Sequence, residues 1–182
     1  MKRKIFFALG AVIIIFVGWT VYGLLIAEPA SPLATVEGSY EDLNMKVEYS
    51  RPYKKDRVIF GEESEGALQP YGKYWRLGAN AATKITFSKD INFAGQPVDA
   101  GTYRMYAVPG ANEWEVSLNS ESDVSFGAFE PDYDLDVVKV KVPAQTVPET
   151  EQFTITFDSG TDGAQMNFVW DKTKVTVPIT IQ

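Results

Sequence analysis

Past residue 42, apolar side chains recur at every second position far more often than at helical spacing. In the final run Val175, Val177, Ile179 and Ile181 alternate with Lys174, Thr176, Pro178 and Thr180. A period of two sends successive side chains to opposite faces, so such a run is a strand with one face in a core and one in water. The same pattern marks strands at Leu43–Ser50, Val58–Phe60, Thr83–Ser88, Thr102–Val108, Glu113–Asn119, Val137–Val142, Phe153–Asp158, Met166–Trp170 and Thr173–Ile181. Turn sequences separate them: FAGQ, PVDAG, VPGANE and FDSGTDGAQ. PGAN predicts a hairpin between Thr102–Val108 and Glu113–Asn119, and Asp171-Lys172 predicts another between the last two strands. GEESEGALQ reads as a loop or a short helical turn. The expected fold is all-β, a single mostly antiparallel β-sandwich domain over 38–182.

The first residues obey a different rule. Nothing charged lies between Lys4 and Glu28, and the 23 residues Ile5 to Ala27 would form a helix of about 34 Å, enough to cross about 30 Å of hydrocarbon. Lys2, Arg3 and Lys4 precede the run and acids follow it, which keeps the N-terminus cytoplasmic. Residues 1–27 are therefore expected to be a transmembrane signal anchor in the inner membrane, with the domain on the periplasmic side. The rival reading is a cleaved signal peptide and a secreted domain, although Leu25 suits cleavage after Ala27 poorly. Residues 28–37 are rich in Pro, Ala and Ser and predict an extended tether. With no cysteine, a domain outside the cytoplasm has no disulfides and must hold together by its core.

Composition narrows the chemistry. The chain has no histidine and no cysteine, which removes the commonest general base, the thiol nucleophile and the usual zinc ligands. Ser50, Ser88 and Ser125 sit in no nucleophile motif, and no phosphate loop or cofactor motif is present. The chain thus reads as a binding module rather than an enzyme, with no cofactor. The one enzymatic alternative is an envelope hydrolase using two carboxylates, for which Glu62, Glu63 and Glu65 are the local candidates. A purely structural envelope domain is the other alternative.

Two stretches stand out. SRPYKKDR, Ser50 to Arg57, concentrates cations in an acidic chain, and Arg51 and Arg57 could grip an anion at two points. They could equally pair with acids inside the domain. PYGKYWRLGAN, Pro70 to Asn80, offers Tyr71 and Trp75 for stacking and Arg76 and Asn80 for oriented polar contacts. The competing reading makes Trp75 a core plug and Gly78 and Asn80 turn residues. The candidate ligand-binding set is Arg51, Arg57, Tyr71, Trp75, Arg76 and Asn80. Its expected partner is an anionic small molecule, a glycan or an envelope protein; the net charge of −7 argues against nucleic acid. No metal site is expected. Asp132, Asp134 and Asp136 have the spacing that opens a calcium loop, but Val137 and Pro143 stand where such a loop needs Gly and Glu.

Taken together, the Ser-Arg-Pro at 50–52, the Arg-x-Ile-Phe-Gly at 57–61, the block Pro70–Thr83, the Ala-Gly-x-Tyr at 100–103 and Trp114 resemble the exported bacterial family catalogued as domain of unknown function 2911. The likeness runs from about Leu43 to the C-terminus. It implies an exported β-rich single domain and names no substrate. Members usually begin with an ordinary signal peptide, so the longer apolar segment here is a departure.

Overall fold

The structure, a computed structural model, describes residues 10–20, 30–124, 127 and 129–182. It forms two compact units, 1–30 and 31–182. In the first, residues 10–20 are helical, with Val12, Ile13, Ile14, Ile15, Phe16, Val17 and Trp19 all exposed. Among the described residues no helix is long and apolar enough to cross a membrane. The rest of the expected span, 5–9 and 21–27, lies outside them.

The second unit is mostly antiparallel β-sheet. Its strands are β1 (Leu33–Tyr40), β2 (Leu43–Ser50), β3 (Phe60–Gly61), β4 (Gln69–Pro70), β5 (Thr83–Phe87), β6 (Ile91–Phe93), β7 (Gln96–Val98), β8 (Gly101–Val108), β9 (Glu113–Asn119), β10 (Asp136–Ser159) and β11 (Ala164–Ile181). Nine of them run in the order β1-β2-β5-β8-β9-β10-β11-β6-β7, and β3 and β4 form a separate parallel pair. The tether is shorter than its composition predicts. Residues 33–37 are already β1, with Ala34, Val36 and Tyr40 packed against the core. The inward phase is Ala34, Val36, Gly38 and Tyr40, while Leu33 falls in the outward phase with Thr35, Glu37 and Ser39.

The largest departure concerns the last strands. The four runs expected between 137 and 181 are two long strands. Asp136–Pro143 pairs with β9, and Ala144–Ser159 continues onto β11, so β10 belongs to both arms of the sheet. Pro148 and Asp171 were natural places to end a strand. Pro148 instead falls in the register shift between Thr146 and Thr150, and Asp171 adopts a left-handed φ of 52° opposite Thr150. Both strands bend at the same level, so the chain bulges and does not reverse. The hairpin expected at Asp171-Lys172 is absent; the true reversal is the connection 160–163.

The buried side chains of β2, β5, β8, β9, β10 and β11 form one core. At its centre Trp75 lies 4.8 Å from Phe153, 5.5 Å from both Phe60 and Trp114, and 5.8 Å from Trp170, ring centre to ring centre. Each such pair adds about 0.5–1.5 kcal/mol beyond the area it buries. Tyr49 of β2 ties the arms together by accepting the Ile155 N–H of β10 at 2.8 Å.

Gly163 ends the β10–β11 reversal against β11, where an added Cβ would stand 2.2 Å from the Ile179 carbonyl oxygen. Gly163→Ala should therefore cost about 1–3 kcal/mol through overpacking against backbone. Gly66→Ala, at a φ of 71° with open space around it, should cost only about 1 kcal/mol of backbone strain. Thermal melts of the two variants check the order, and equal melting temperatures would contradict it.

Candidate functional site

Trp75 and Ala107 exchange two backbone hydrogen bonds of 2.8 Å, so residues 74–76 lie against the end of β8 as a short strand. Strand alternation then sends Trp75 into the core, where it is 2% exposed, and Tyr74 and Arg76 to the opposite face. The Trp75 indole N–H donates to the Gly78 carbonyl at 3.2 Å. Arg76 donates to the carbonyl of Asn80 at 3.0 Å, and Asn80 takes a left-handed φ of 58°. Arg76 and Asn80 thus meet, but through the Asn80 backbone. Gly78 is set by close approach, since a Cβ there would lie 2.7 Å from the Ser50 carbonyl oxygen.

The cationic stretch works elsewhere. Arg51 donates to the Phe153 carbonyl at 3.2 Å and to Thr154 Oγ1 at 2.9 Å. Arg57 donates to the Lys54 and Tyr53 carbonyls of its own loop. Lys54 pairs with Asp171 at 2.7 Å and Glu149 at 2.9 Å, and these bonds, Asp171's first, raise its pKa. The stretch is thereby stitched across the bend in β10 and β11. No described hydrogen bond or ion pair joins Arg51 or Arg57 to Arg76 or Asn80. Arg51, Arg57 and Arg76 are each engaged by a nearby backbone carbonyl. The acids expected to serve a hydrolase are all exposed: Glu65 accepts the Glu62 N–H at 2.9 Å, and Glu63 faces Lys73 at 3.6 Å.

What the sequence reading missed is a buried polar layer on the outer face of β8, β9 and β10. Arg104, 1% exposed, reaches Glu121 at 3.0 Å, the Tyr74 hydroxyl at 2.7 Å and the Phe129 carbonyl. Its guanidinium also stands 5.8 Å from the centre of the Tyr74 ring. Beside it the Tyr106 hydroxyl donates to Asp136 at 2.6 Å, and Asn119 donates to Asp136 and to the Asp132 carbonyl, both at 2.8 Å. Burial first and the Asp136 carboxylate second hold the Tyr106 phenol well above its ordinary range. Tyr133, 5.9 Å from the Tyr106 ring, is pushed up to about 12 by burial and by its bond to Glu130. Arg104 Nε and Ser117 Oγ have no hydrogen-bond partner among the described residues.

Glu121, Phe129 and Tyr133, from the connection between β9 and β10, reach this layer, and Gly127 of the same connection is bonded to the 70–83 block. The Tyr74 hydroxyl donates to the Gly127 carbonyl at 3.2 Å, and the Gly127 N–H donates to the Asn80 carbonyl at 3.1 Å. An added Cβ at Gly127 would lie 2.6 Å from the Ala82 nitrogen, so only glycine seats here without displacement. The 70–83 block is thus a latch for this connection. The sequence carried one signal for it: a loop longer than about 12–15 residues is uncommon in a compact domain unless it has work to do. Asp132 Oδ1 accepts the Asp134 N–H, and Asp136 is bonded within the layer; among the described residues no group of three acids is placed to hold a metal.

A small hollow of about 40 Å³ opens between Tyr71, Phe60, Trp114, Gln145, Thr146 and Thr173. Trp114 is fully buried, and its indole N–H has no partner among the described residues. A shallower cavity of about 450 Å³ lies over β1, β2 and β5, lined by Glu37, Asn44, Lys46 and Thr86 among others.

A family model described as "Protein of unknown function (DUF2911)" matches residues 31–179. No curated protein matches the chain, and no solved structure does.

Arg104→Met should loosen the covering connection by removing two charge-assisted bonds, at a cost of about 1–3 kcal/mol. Limited proteolysis should then cut between 121 and 135 faster than in the wild type, while Arg76→Met leaves that rate far less changed. Unchanged cleavage in Arg104→Met would show that the layer does not hold the connection.

Proposed function

The chain belongs to the DUF2911 family, whose description assigns no activity, and from that premise we propose that it is a membrane-tethered, extracytoplasmic β-sandwich module that binds a cationic, amphipathic segment of an envelope protein. The observation that carries this reading is the outer surface of the latched connection. Phe129 is 74% exposed there, and Tyr133, Leu135 and Val137 are each more than two-fifths exposed. Around them stand the exposed acids Asp123, Glu130, Asp132 and Asp134, and the stretch 121–136 contains no lysine or arginine. Acids outnumber cations around these apolar side chains, with the Lys139 ammonium 5.7 Å from the Tyr133 ring centre and paired with Asp136, and such a surface fits a partner with apolar groups flanked by cations.

Rigidity makes the surface usable. Bonds from Arg104 to Glu121 and Phe129 and from Tyr74 to Gly127 hold those residues before any partner arrives, which lowers the entropy that binding must overcome. The anionic ligand expected at Arg51, Arg57 and Arg76 is less well supported, since these side chains are already bonded. The tether is supported by the uncharged run Ile5–Ala27 and by the uncovered apolar side chains of the helical residues 10–20. A polypeptide exposing such a helix needs an apolar medium around it. The sandwich reading rests on one core shared by both arms of the sheet, with β10 passing from one to the other.

The probe is a synthetic peptide of alternating lysine and leucine, titrated against the full chain in nanodiscs of zwitterionic lipid. Binding should weaken as salt rises. It should fall at least about tenfold both in Phe129→Ser/Tyr133→Ser and in Glu130→Gln/Asp132→Asn/Asp134→Asn, a loss of about 1.4 kcal/mol each. Equal binding by these variants, or by a glutamate and leucine peptide, would overturn the reading. The tether has its own check: alkaline washing should leave the full chain with the membrane fraction and release a chain lacking 5–27. Release of both would rule the anchor out.

A further inference from the structure

The order of the sheet leaves two open ends, β7 and β1, and the chain treats them differently. An open end presents backbone groups that another strand can take up, so folds usually shorten it, bulge it away, or give it proline or charge. The β7 end has such protection: it is three residues long and carries Pro97. The β1 end is plain by comparison. It runs eight residues, pairs with β2 without a register shift, and holds no proline, lysine or arginine; its one charge is Glu37.

The hydrogen-bond ladder fixes which groups of β1 face outward. The Arg51 N–H donates to the Pro32 carbonyl at 2.8 Å, and one further step of the β1–β2 register sets Pro32 opposite Arg51. Bonded and unbonded pairs alternate along an antiparallel ladder, so Ala34, Val36, Gly38 and Tyr40 bond to β2. Leu33, Thr35, Glu37 and Ser39 therefore turn their N–H and C=O groups to the open side, and these groups have no partner among the described residues. The side chains of these four are exposed, while Ala34, Val36, Gly38 and Tyr40 are only half-buried. Phe157 of β10, also half-buried, packs so close beneath β1 that a Cβ on Gly38 would stand 2.5 Å from its ring. The apolar side of this edge is thus incompletely closed.

We propose that β1 is the interface of a symmetric dimer, in which two copies of this chain join their sheets edge to edge, β1 antiparallel to β1 about a two-fold axis at Val36. This register sets Leu33 against Ser39 and Thr35 against Glu37 of the second copy, and the reverse. All four outward residues then form bonded pairs, each exchanging two hydrogen bonds. Centring on Thr35 or Glu37 instead leaves one outward residue beyond the end of the second strand, and centring on Glu37 also sets two carboxylates face to face. On the inner face Val36 meets Val36 and Ala34 meets Gly38, small groups that close the half-buried side above Phe157. On the outer face Glu37 lies between Lys46 of its own β2 and Thr35 of the second copy, so no like charges are directly opposite.

The chain has no cysteine, so single cysteines report this register directly. Unbonded partners in an antiparallel pair stand about 4.5 Å apart, Cα to Cα, within the about 4.4–6.8 Å that disulfides span. In the purified full chain in phosphocholine micelles, Val36→Cys should therefore form a disulfide-linked dimer under mild oxidation. Thr35→Cys should not, since its own counterpart is a diagonal neighbour about 7–8 Å away. Adding Thr35→Pro to Val36→Cys should abolish the link, because proline there removes an outward N–H and no bond to β2. The comparison of Val36→Cys with Thr35→Cys stands even if the proline variant fails to fold. No link in Val36→Cys, an equal link in Thr35→Cys, or a link that survives Thr35→Pro overturns the proposal.

Discussion

The paired hydrogen bonds between Trp75 and Ala107 decide what the rest of the domain can do. They lay three residues of an otherwise irregular segment against β8, and the strand period then assigns each residue a side. Trp75 goes inward and joins Phe60, Trp114, Phe153 and Trp170, the aromatic centre that holds both arms of the sheet in a domain without disulfides. Tyr74 goes outward and reaches Arg104 and Gly127. Core and latch are therefore opposite faces of one short strand, and a change that shifts its register by one residue would disturb both.

Two energies of different kinds meet at Arg104. Removing a guanidinium from water is expensive, and a single carboxylate seldom repays it. Here the cost is shared among Glu121, the Tyr74 hydroxyl, the Phe129 carbonyl and the Tyr74 ring, each held by a different part of the chain. Such an arrangement contributes little net stability compared with a hydrophobic filling of the same volume. It does specify one position for Glu121 and Phe129, since both must stand beside Arg104 to bond it. Phe129 is held there through its carbonyl, and its side chain is 74% exposed.

The alternation that revealed the strands also hid this layer. In GTYRMYAV, Arg104 and Tyr106 occupy the phase opposite Tyr103, Met105 and Ala107, so they read as wet positions; in WEVSLN, Ser117 and Asn119 read the same way. Local pattern reports which face a residue is on and not what later covers that face. The cover is a long-range event, made by a loop whose acids suggested only solvation. Long-range pairing likewise explains β10 and β11: Pro148 and Asp171 carry turn chemistry, but each is opposite the other's irregular region, and only the pairing turns two apparent breaks into one bend. By contrast β2, β5, β8 and β9 were legible almost to the residue because each is short, alternates cleanly and is bounded by its own turns. Trp75, Gly78 and Asn80 behave as the core and turn reading of their block expects.

Charge placement shows what the cations already hold within the domain. Lys54 faces two acids of the β10–β11 bend, and Arg51, Arg57 and Arg76 lie within reach of backbone carbonyls that no strand partner uses. The Lys54 and Asn80 carbonyls each also accept a backbone N–H, from Arg57 and from Gly127, so the guanidinium groups add a second donor to loop carbonyls near the surface. Guanidinium groups are well suited to satisfy them, with several donors on one rigid plane. Asp123, Glu130, Asp132 and Asp134 are exposed and give this side of the domain an acidic exterior.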